Sequence, residues 1–140
     1  MDRVRGSKNT NGKREEEMAV ADELNVVLTR MRTAVPELSA ALVATTDGLP
    51  VAHSLNSGDA NRLAAMAATA LGLGRRICET FGGGEFRETS VSGLLGQMYI
   101  YSAGPKAVLG VVARPGANVG LIHLEAREGA SEIAQILQQR

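Results

Sequence analysis

A short turn between two apolar segments is the feature that most constrains how this chain can fold. Residues 40–44 are continuously apolar, Asp47-Gly48 follows, and residues 49–55 again have the composition of a strand. Asp-Gly supplies the left-handed residues of a two-residue β-hairpin, so the sequence predicts two antiparallel strands here. A strand that is apolar at successive positions is typical of a sheet covered on both faces. We therefore expect helices to pack on the sheet.

The remaining patterns predict three helices and three further strands. Apolar residues recur at three- and four-residue steps in the helical segments, and turn residues separate the short strand segments. Pro36 and Gly82–Gly84 would end the first two helices, Ser57 or Asp59 would cap the second, and Asn118 would cap the third. The first predicted helix covers residues 18–35, the second runs from its cap at Ser57 or Asp59 to about Phe81, and the third covers residues 119–137. The later strands are residues 85–91, 97–101 and 107–113. This α-β-β-α-β-β-β-α order, with hairpin and meander connections, indicates an α/β (α+β) fold with a five-stranded antiparallel sheet.

The first 17 residues differ from the rest in composition. They are mostly charged or polar, and Met1 and Val4 are their only large apolar residues. Such a segment cannot bury enough apolar surface to offset the entropy lost on ordering, so we expect a flexible charged tail over residues 1–17 and a folded domain over residues 18–140. The tail is either a native extension or, in part, an addition that ends before Met18.

Composition disfavours several classes of partner. The 15 basic and 15 acidic residues cancel, and only 3% of residues are aromatic, so neither an attractive field nor a stacking surface for nucleic acid is expected. The uncharged, mostly alanine stretch at residues 63–74 is much shorter than the ~20 apolar residues of a membrane-spanning helix. The one cysteine, Cys78, cannot form an internal disulfide. We expect a cytoplasmic protein with no nucleic-acid partner and no membrane insertion.

The residues that could carry chemistry do not form a recognisable catalytic, cofactor or metal motif. Gly82–Gly84 follow a helix, whereas a phosphate-binding loop follows a strand and begins a helix. Ser92 lacks the glycine frame of a nucleophile turn, and Cys78 lies on the apolar side of its predicted helix. His53 and His123 have no neighbour at a metal-ligand spacing. The sequence therefore favours a protein that is not an enzyme and that holds no cofactor.

The predicted second helix is apolar or small on nearly all sides. We assign one side to the sheet, namely Leu63, Ala67, Ala70, Leu71, Gly74, Ile77, Cys78 and Phe81, and the opposite side carries Ala65, Met66, Ala68, Thr69, Gly72 and Leu73. In so small a domain, a second subunit could cover the opposite side, although the first or last helix of the same chain is an alternative. The strand at residues 85–91 could pair with its symmetry mate if it lies at a sheet edge. The predicted dimer interface comprises Ala65, Met66, Thr69, Leu73, Phe86, Arg87 and Thr89.

Three segments of the chain resemble the bacterial Roadblock (dynein light chain related) family over nearly all of residues 20–138. They are LNVVLTRMRTAVPELSAALVATTDGLPVAHS, NRLAAMAATALGLGRRICETFGGGEF and ANVGLIHLEAREGASEIAQIL. The most specific pieces are the Asp47–Pro50 hairpin and the Phe81–Gly84 helix exit. The resemblance implies a Roadblock-like, profilin-like three-layer sandwich over residues 18–140. It also implies a homodimer in which the middle helices pack together and the third strands join the two sheets.

The same resemblance implies a function, because members of this family bind Ras-like small GTPases as activators, exchange regulators or scaffolds. An activator orders the switch loops of its partner or contributes an arginine in trans. Arg62, Arg75 and Arg76 on the middle helix are the candidate contacts, with a solvated surface charge as the alternative for each. The long charged N-terminal segment departs from the family pattern. Two other functions stay open: a structural adaptor without effect on GTP turnover, and a small-ligand sensor with a pocket of convergent polar groups.

Overall fold

The computed structural model describes residues 2–55 and 59–139, with side chains from residue 10 onward. Its elements, in chain order, are α1 (Asp2–Ala34), β1 (Leu38–Thr45), β2 (Pro50–His53), α2 (Ala60–Phe81), β3 (Glu88–Gly93), β4 (Gly96–Ser102), β5 (Ala107–Ala113) and α3 (Val119–Gln138). The strands form one sheet in the order β2-β1-β5-β4-β3, and all four neighbouring pairs are antiparallel. The predicted element order, fold class and five-stranded antiparallel sheet are confirmed.

The sheet has a fully buried centre and two short edges. β1 and β5 lie in the middle and pair along their whole length, with Val43 opposite Leu109 and Leu42 opposite Gly110. Successive side chains alternate between the two faces, so Val43, Leu109 and Tyr101 lie on one face and Leu42, Val108 and Ile100 lie on the other. β2 and β3 form the edges of the sheet.

The two faces are covered differently. α1 and α3 pack side by side on the first face and bury Leu24, Leu28, Met31, Ile122 and Ile133. α2 covers the second face chiefly through two alanines and one leucine, namely Ala64, Ala67 and Leu71. Within the described residues, neither α1 nor α3 contacts α2. The three layers are therefore α1/α3, sheet and α2, and the alternative in which α1 or α3 covers the outer side of α2 is wrong.

The β1–β2 turn is wider than predicted. Gly48 N donates to Thr45 O at 2.9 Å, and Thr45 N donates to Leu49 O at 2.8 Å, so residues 46–48 form a three-residue loop. Gly48 has a positive φ of 93°, but Asp47 does not. This is a turn closed by one left-handed glycine, in place of the predicted two-residue turn with two left-handed residues. The Thr45 hydroxyl accepts from Leu49 N at 3.1 Å and thereby stabilises the wider loop.

Helix ends match the sequence prediction in part. Asn118 Oδ1 accepts from Leu121 N at 3.1 Å and caps α3, and Gly82 ends α2 in the left-handed conformation. Asp59 occupies the N-cap position of α2 but makes no capping hydrogen bond with its side chain, while Ser57, the other predicted cap, lies outside the described residues. β3 begins at Glu88 rather than at residue 85.

α1 begins at Asp2, so residues 2–17 are helical where a flexible tail was expected. Lys, Arg and Glu have good helix propensity, and adding residues to an existing helix requires no new nucleation. From Thr10 to Glu17 no side chain is buried. The helical backbone of this segment therefore needs no contribution from the core.

Candidate interaction surface

The outer side of α2 carries a continuous row of exposed apolar side chains. Met66, Leu73, Ile77 and Phe81 are 62%, 58%, 51% and 69% exposed, respectively. Their spacing of seven, four and four residues places them along one side of the helix. We call these four residues the α2 stripe. Ile77 and Phe81 were predicted to cover the sheet, and that prediction is wrong because the buried side of α2 runs through Ala64, Ala67 and Leu71 instead.

Contacts on the two flanks of α2 show where the α2 stripe faces. An ideal Cβ on Gly48 would lie 3.2 Å from Ala65 Cα, so the flank at Ala65 faces the β1–β2 turn. On the other flank, an ideal Cβ on Gly74 would lie 2.2 Å from Phe86 Cε1, so only glycine leaves room for that ring. At about 100° per residue, Ile77 lies between the Gly74 flank and the top of the helix. The α2 stripe therefore faces the side of the molecule on which β3 lies.

The edge of the sheet on that side is open. Ser102 N donates to Arg87 O at 3.0 Å, and the pairing with β4 continues through Thr89 and Val91. Because antiparallel pairs alternate, Glu88, Ser90 and Ser92 direct their backbone N–H and C=O groups away from β4. No strand of the described chain pairs with that outer side of β3. β3 was expected to pair with a symmetry mate if it lies at a sheet edge, and it does lie at an edge.

The side chains of β3 connect this edge to the α2 layer. Thr89 lies opposite Ile100, and Val91 lies opposite Met98, and both partners pack in the core beneath α2. Residues opposite each other on neighbouring strands point to the same face, so Thr89 and Val91 lie on the α2 side. Val91 is 61% exposed. The α2 stripe and the β3 edge therefore form one adjoining surface.

The predicted interface residues fall into three groups. Met66 and Leu73 belong to the α2 stripe, and Thr69 is exposed on the same helix, where its hydroxyl donates to Ala65 O at 2.8 Å. Thr89 and Arg87 lie at and just before the β3 edge. Two residues are placed differently from what the prediction assumed: Ala65 is on the flank beside the β1–β2 turn, and Phe86 is only 7% exposed within its own chain.

The three candidate arginines do not come together. Arg62 and Arg76 are 14 residues apart, so they lie on the same ridge of α2 about 21 Å from each other, with Thr69 midway between them. Arg62 forms a loose ion pair with Asp59 at 3.8 Å, and its side chain is 79% exposed. Arg75 is half-buried and lies about 100° around the helix from Arg76. Any partner contact through Arg62 and Arg76 would extend along the length of α2.

A groove lies between α2 and the beginning of β3. It has a volume of about 370 Å³ and is lined by Gly74, Ile77, Cys78, Glu85, Phe86, Arg87, Glu88 and Thr89. We call it the α2–β3 groove. On the opposite face of the sheet, a cavity of about 350 Å³ adjoins α3, and there Arg127 and Glu88 form an ion pair with each other. The α2–β3 groove is thus the one of these two that joins the apolar α2 stripe.

The polar cluster on the α1/α3 face is structural in form. Tyr101 Oη and His123 Nδ1 are hydrogen-bonded at 2.7 Å, and the hydroxyl of Tyr99 donates to Gln97 Oε1 at 2.6 Å. The His123 ring lies edge-on to both tyrosine rings. Burial, together with the nearby Glu88 carboxylate, raises the pKa of the Tyr101 hydroxyl, which keeps that group neutral. These contacts position α3 on the sheet.

Two further observations concern metal sites and membrane-spanning helices. Among residues 2–55 and 59–139, no three His, Cys, Asp or Glu side chains are placed to share a metal ion. In the same residues, no helix combines the length and the apolar character that crossing a membrane requires.

Comparison with known proteins identifies the family. The model of the Roadblock/LC7 domain matches residues 24–113. The chain belongs to the Roadblock/LC7 family. Two uncharacterized proteins of Methanocaldococcus jannaschii are each 31% identical to it over 97 residues, which cover 69% of this chain and 84% of theirs.

Solved structures share the fold of this Roadblock/LC7 chain. A structure of MglB with a tetrameric arrangement superposes with a TM-score of 0.78 at 21% identity, covering 86% of this chain and 92% of MglB. Profilin II of Acanthamoeba castellanii has a TM-score of 0.53 at 15% identity, covering 71% of this chain and 87% of the profilin. The predicted family and its profilin-like architecture are confirmed.

Sequence reasoning missed one part of the exposed surface of this Roadblock/LC7 chain. Leu94 and Leu95, in the turn between β3 and β4, are 99% and 90% exposed. A signal was present in the sequence, because turn positions usually carry Gly, Asn, Asp, Ser or Pro, and here two leucines stand between Gly93 and Gly96.

Proposed function

We propose that this Roadblock/LC7 chain is a non-catalytic homodimer that binds a Ras-like small GTPase and modulates its nucleotide cycle. The observation that carries the proposal is the adjoining surface formed by the α2 stripe and the open β3 edge. A chain that pairs through this surface leaves the other faces of the dimer available to a second protein.

The homodimer follows from what this surface lacks in the single chain. Unpaired edge strands and rows of exposed apolar side chains are sites at which chains associate. If two copies of β3 pair about a two-fold axis, the α2 stripes of both copies approach each other on the same face of the joined sheet. Both features are then satisfied by one contact. The tetrameric arrangement of MglB is consistent with self-association in a protein of this fold.

The proposed interface is shifted relative to the one that the sequence predicted. It retains Met66, Leu73, Arg87 and Thr89, and it adds Ile77, Phe81 and Val91 because they lie on the side of α2 nearest to β3. Thr69 borders this interface. The side chain of Ala65 lies outside this interface, and the mostly buried Phe86 borders it only where it lines the α2–β3 groove.

The GTPase partner follows from family membership together with the position of the arginines. Arg62 and Arg76 lie beside the α2 stripe on an exposed ridge, where a guanidinium can reach a phosphate or carboxylate of a docked protein. Contacts of this kind bind switch loops in one nucleotide state, and that differential binding is what modulates a GTPase. The chain would then act by binding and ordering its partner, with no cofactor of its own.

The dimer is tested by placing a carboxylate in the α2 stripe. Leu73→Asp should dissociate the homodimer, because two desolvated charges would be buried near the two-fold axis. Val26→Asp is the matched control, since Val26 is exposed to a similar degree but lies on α1, across the sheet. Light scattering should give about twice 14.7 kDa for the wild type and for Val26→Asp, and the monomer mass for Leu73→Asp. A monomeric wild type at micromolar concentration would refute the dimer.

The partner is tested by a pull-down from native extract with a GTP analogue and, in parallel, with GDP. Nucleotide-dependent recovery of a small GTPase is the expected result. Single-turnover hydrolysis with that GTPase would then compare the wild type with Arg62→Ala, Arg75→Ala and Arg76→Ala. Loss of stimulation with Arg62→Ala or Arg76→Ala, but not with Arg75→Ala, would match the exposed ridge. Recovery that ignores the nucleotide would instead indicate the structural adaptor.

A further inference from the structure

The turn between β3 and β4 presents apolar side chains where polar ones are usual. Leu94 and Leu95 occupy the turn between the paired residues Gly93 and Gly96, and nearly their whole side chains face solvent. Within the single chain this exposure contributes nothing to folding, because the apolar surface stays in water. Two adjacent exposed leucines at the end of a hairpin therefore indicate a contact with another subunit or protein.

Symmetry limits where this turn lies when two copies of β3 pair. Hydrogen-bonded and non-hydrogen-bonded pairs alternate along an antiparallel ladder, so a two-fold axis perpendicular to the sheet must place one residue opposite its own copy. For an overlap of most of the strand, that residue is Ser90 or Val91. Pairing centred on Ser90 puts Leu94 opposite residue 86 of the second copy, and pairing centred on Val91 puts it opposite residue 88. Either register brings the turn to the beginning of the other β3.

The beginning of β3 is also where the α2–β3 groove lies. The groove is lined by Gly74, Ile77, Cys78 and Phe86, and also by the exposed residues Glu85 and Arg87. On the other side of the sheet, Glu88 is held in an ion pair by Arg127. Leucine side chains that arrive at this point displace water at less cost against Gly74, Ile77 and Phe86 than next to the ion pair.

We propose that the Leu94-Leu95 turn of each subunit inserts into the α2–β3 groove of a second copy of this chain. The inference rests on the proposed homodimer and specifies which side chains cover the two ends of its paired β3 strands. Each turn covers Ile77 and the opening of the groove on the other subunit. The two-fold contact therefore has two leucine side chains at each end and the paired β3 strands between them. The turn thereby fixes the register of the β3 pairing.

A cysteine cross-link tests the contact directly, because Cys78 in the groove is the only cysteine of the chain. In Leu94→Cys and Leu95→Cys variants, the new thiol and Cys78 are far apart within one subunit. Leu94 lies five positions after Thr89, which lines the groove, and five steps along a strand span about 17 Å, whereas a disulfide requires Cα atoms within about 7 Å. Mild oxidation, or a short bismaleimide, should therefore give a covalent dimer in high yield with at least one of the two variants.

Two controls identify the linked thiols. Leu49→Cys places a thiol in the other exposed apolar turn, at the β2 edge, and should give no covalent dimer. Cys78→Ser combined with Leu94→Cys or with Leu95→Cys should abolish the link, and peptide mapping of the wild-type-background product should join residue 78 to residue 94 or 95.

The dissociation constant gives a second measurement that does not depend on thiol geometry. Leu94→Ser with Leu95→Ser should weaken dimerisation about 10- to 100-fold, while Leu49→Ser should leave it unchanged. A wild type that is dimeric but shows neither the cross-link nor the weakening would overturn this inference and leave the homodimer intact. A monomeric wild type would refute the proposed function first.

Discussion

The two faces of the sheet are built from the same five strands, yet they are covered in opposite ways. On the α1/α3 face, large side chains such as Leu28, Tyr101 and Ile133 are completely buried between two helices and the sheet. On the α2 face, a single helix packs through Ala64, Ala67 and Leu71, and the α2 stripe on its outer side stays exposed. One face thus holds most of the core of the monomer, whereas the other is available for association.

The largest expected effect is a difference in stability between a buried leucine replaced on the α1/α3 face and an exposed leucine replaced on the α2 face. Leu28→Ala should lower the free energy of unfolding by about 2–5 kcal/mol, because it leaves a cavity between α1, α3 and the sheet. Leu73→Ala should change the stability of the monomer by no more than about 0.5 kcal/mol. Urea denaturation at a protein concentration below the dimer dissociation constant measures both. Equal losses would break the comparison, since they would mean that α2 is as well covered as α1.

A smaller effect tests how tightly the α2 face is packed beneath its helix. Gly74→Ala should destabilise the chain by about 1–3 kcal/mol, because the added Cβ would overlap the Phe86 ring. Gly72→Ala is the matched control: a Cβ there meets no atom of the described residues within 4 Å, and alanine favours the helix by roughly 0.5–1 kcal/mol. Thermal denaturation of the two variants should therefore shift the melting temperature in opposite directions. A neutral Gly74→Ala would show that Phe86 readily leaves its position.

The smallest effect concerns the polar cluster on the α1/α3 face. Tyr101→Phe should cost about 1 kcal/mol at neutral pH through loss of the hydrogen bond to His123. The pKa of Tyr101 is raised in the folded chain, so above about pH 10 the unfolded chain loses this proton first and the free energy of unfolding declines as pH rises.

The pH dependence of the free energy of unfolding in the Tyr101→Phe variant tests whether Tyr101 causes the alkaline decline. Tyr101→Phe should flatten the alkaline decline, whereas Tyr99→Phe, which keeps Tyr101, should retain it. Urea denaturation at a series of pH values between 8 and roughly 11 measures the slope. If the two variants gave the same alkaline slope, Tyr101 would be as accessible to solvent as an ordinary surface tyrosine.

Most of the fold could be predicted because its signals are local. Apolar steps of three and four residues, the Asp47-Gly48 turn, the Asn118 cap and the glycines after Phe81 each specify one element or one boundary. The order of the elements, with short connections, then leaves an antiparallel sheet as the simple solution. The N-terminal end of α1 was missed because charged residues without a core contact can extend a helix and equally remain outside one.

The candidate surface was predicted less well, because its residues depend on positions that are distant in sequence. Met66, Leu73 and Thr89 were assigned from helix and strand periodicity, which gives the relative position of side chains around an element. Periodicity does not state which side of α2 meets the sheet, so Ile77 and Phe81 were assigned to the wrong one.

The sequence by itself determined most elements of this chain and their order, because each helix or strand signal depends on residues a few positions apart. It also carried the resemblance to the Roadblock family. Only the tertiary structure decided that Phe86 is buried over Gly74, that β3 is an edge, and that no helix within residues 2–55 and 59–139 covers the α2 stripe. Those three facts depend on how elements pack across the sheet, where a residue's exposure is determined by contacts distant in sequence.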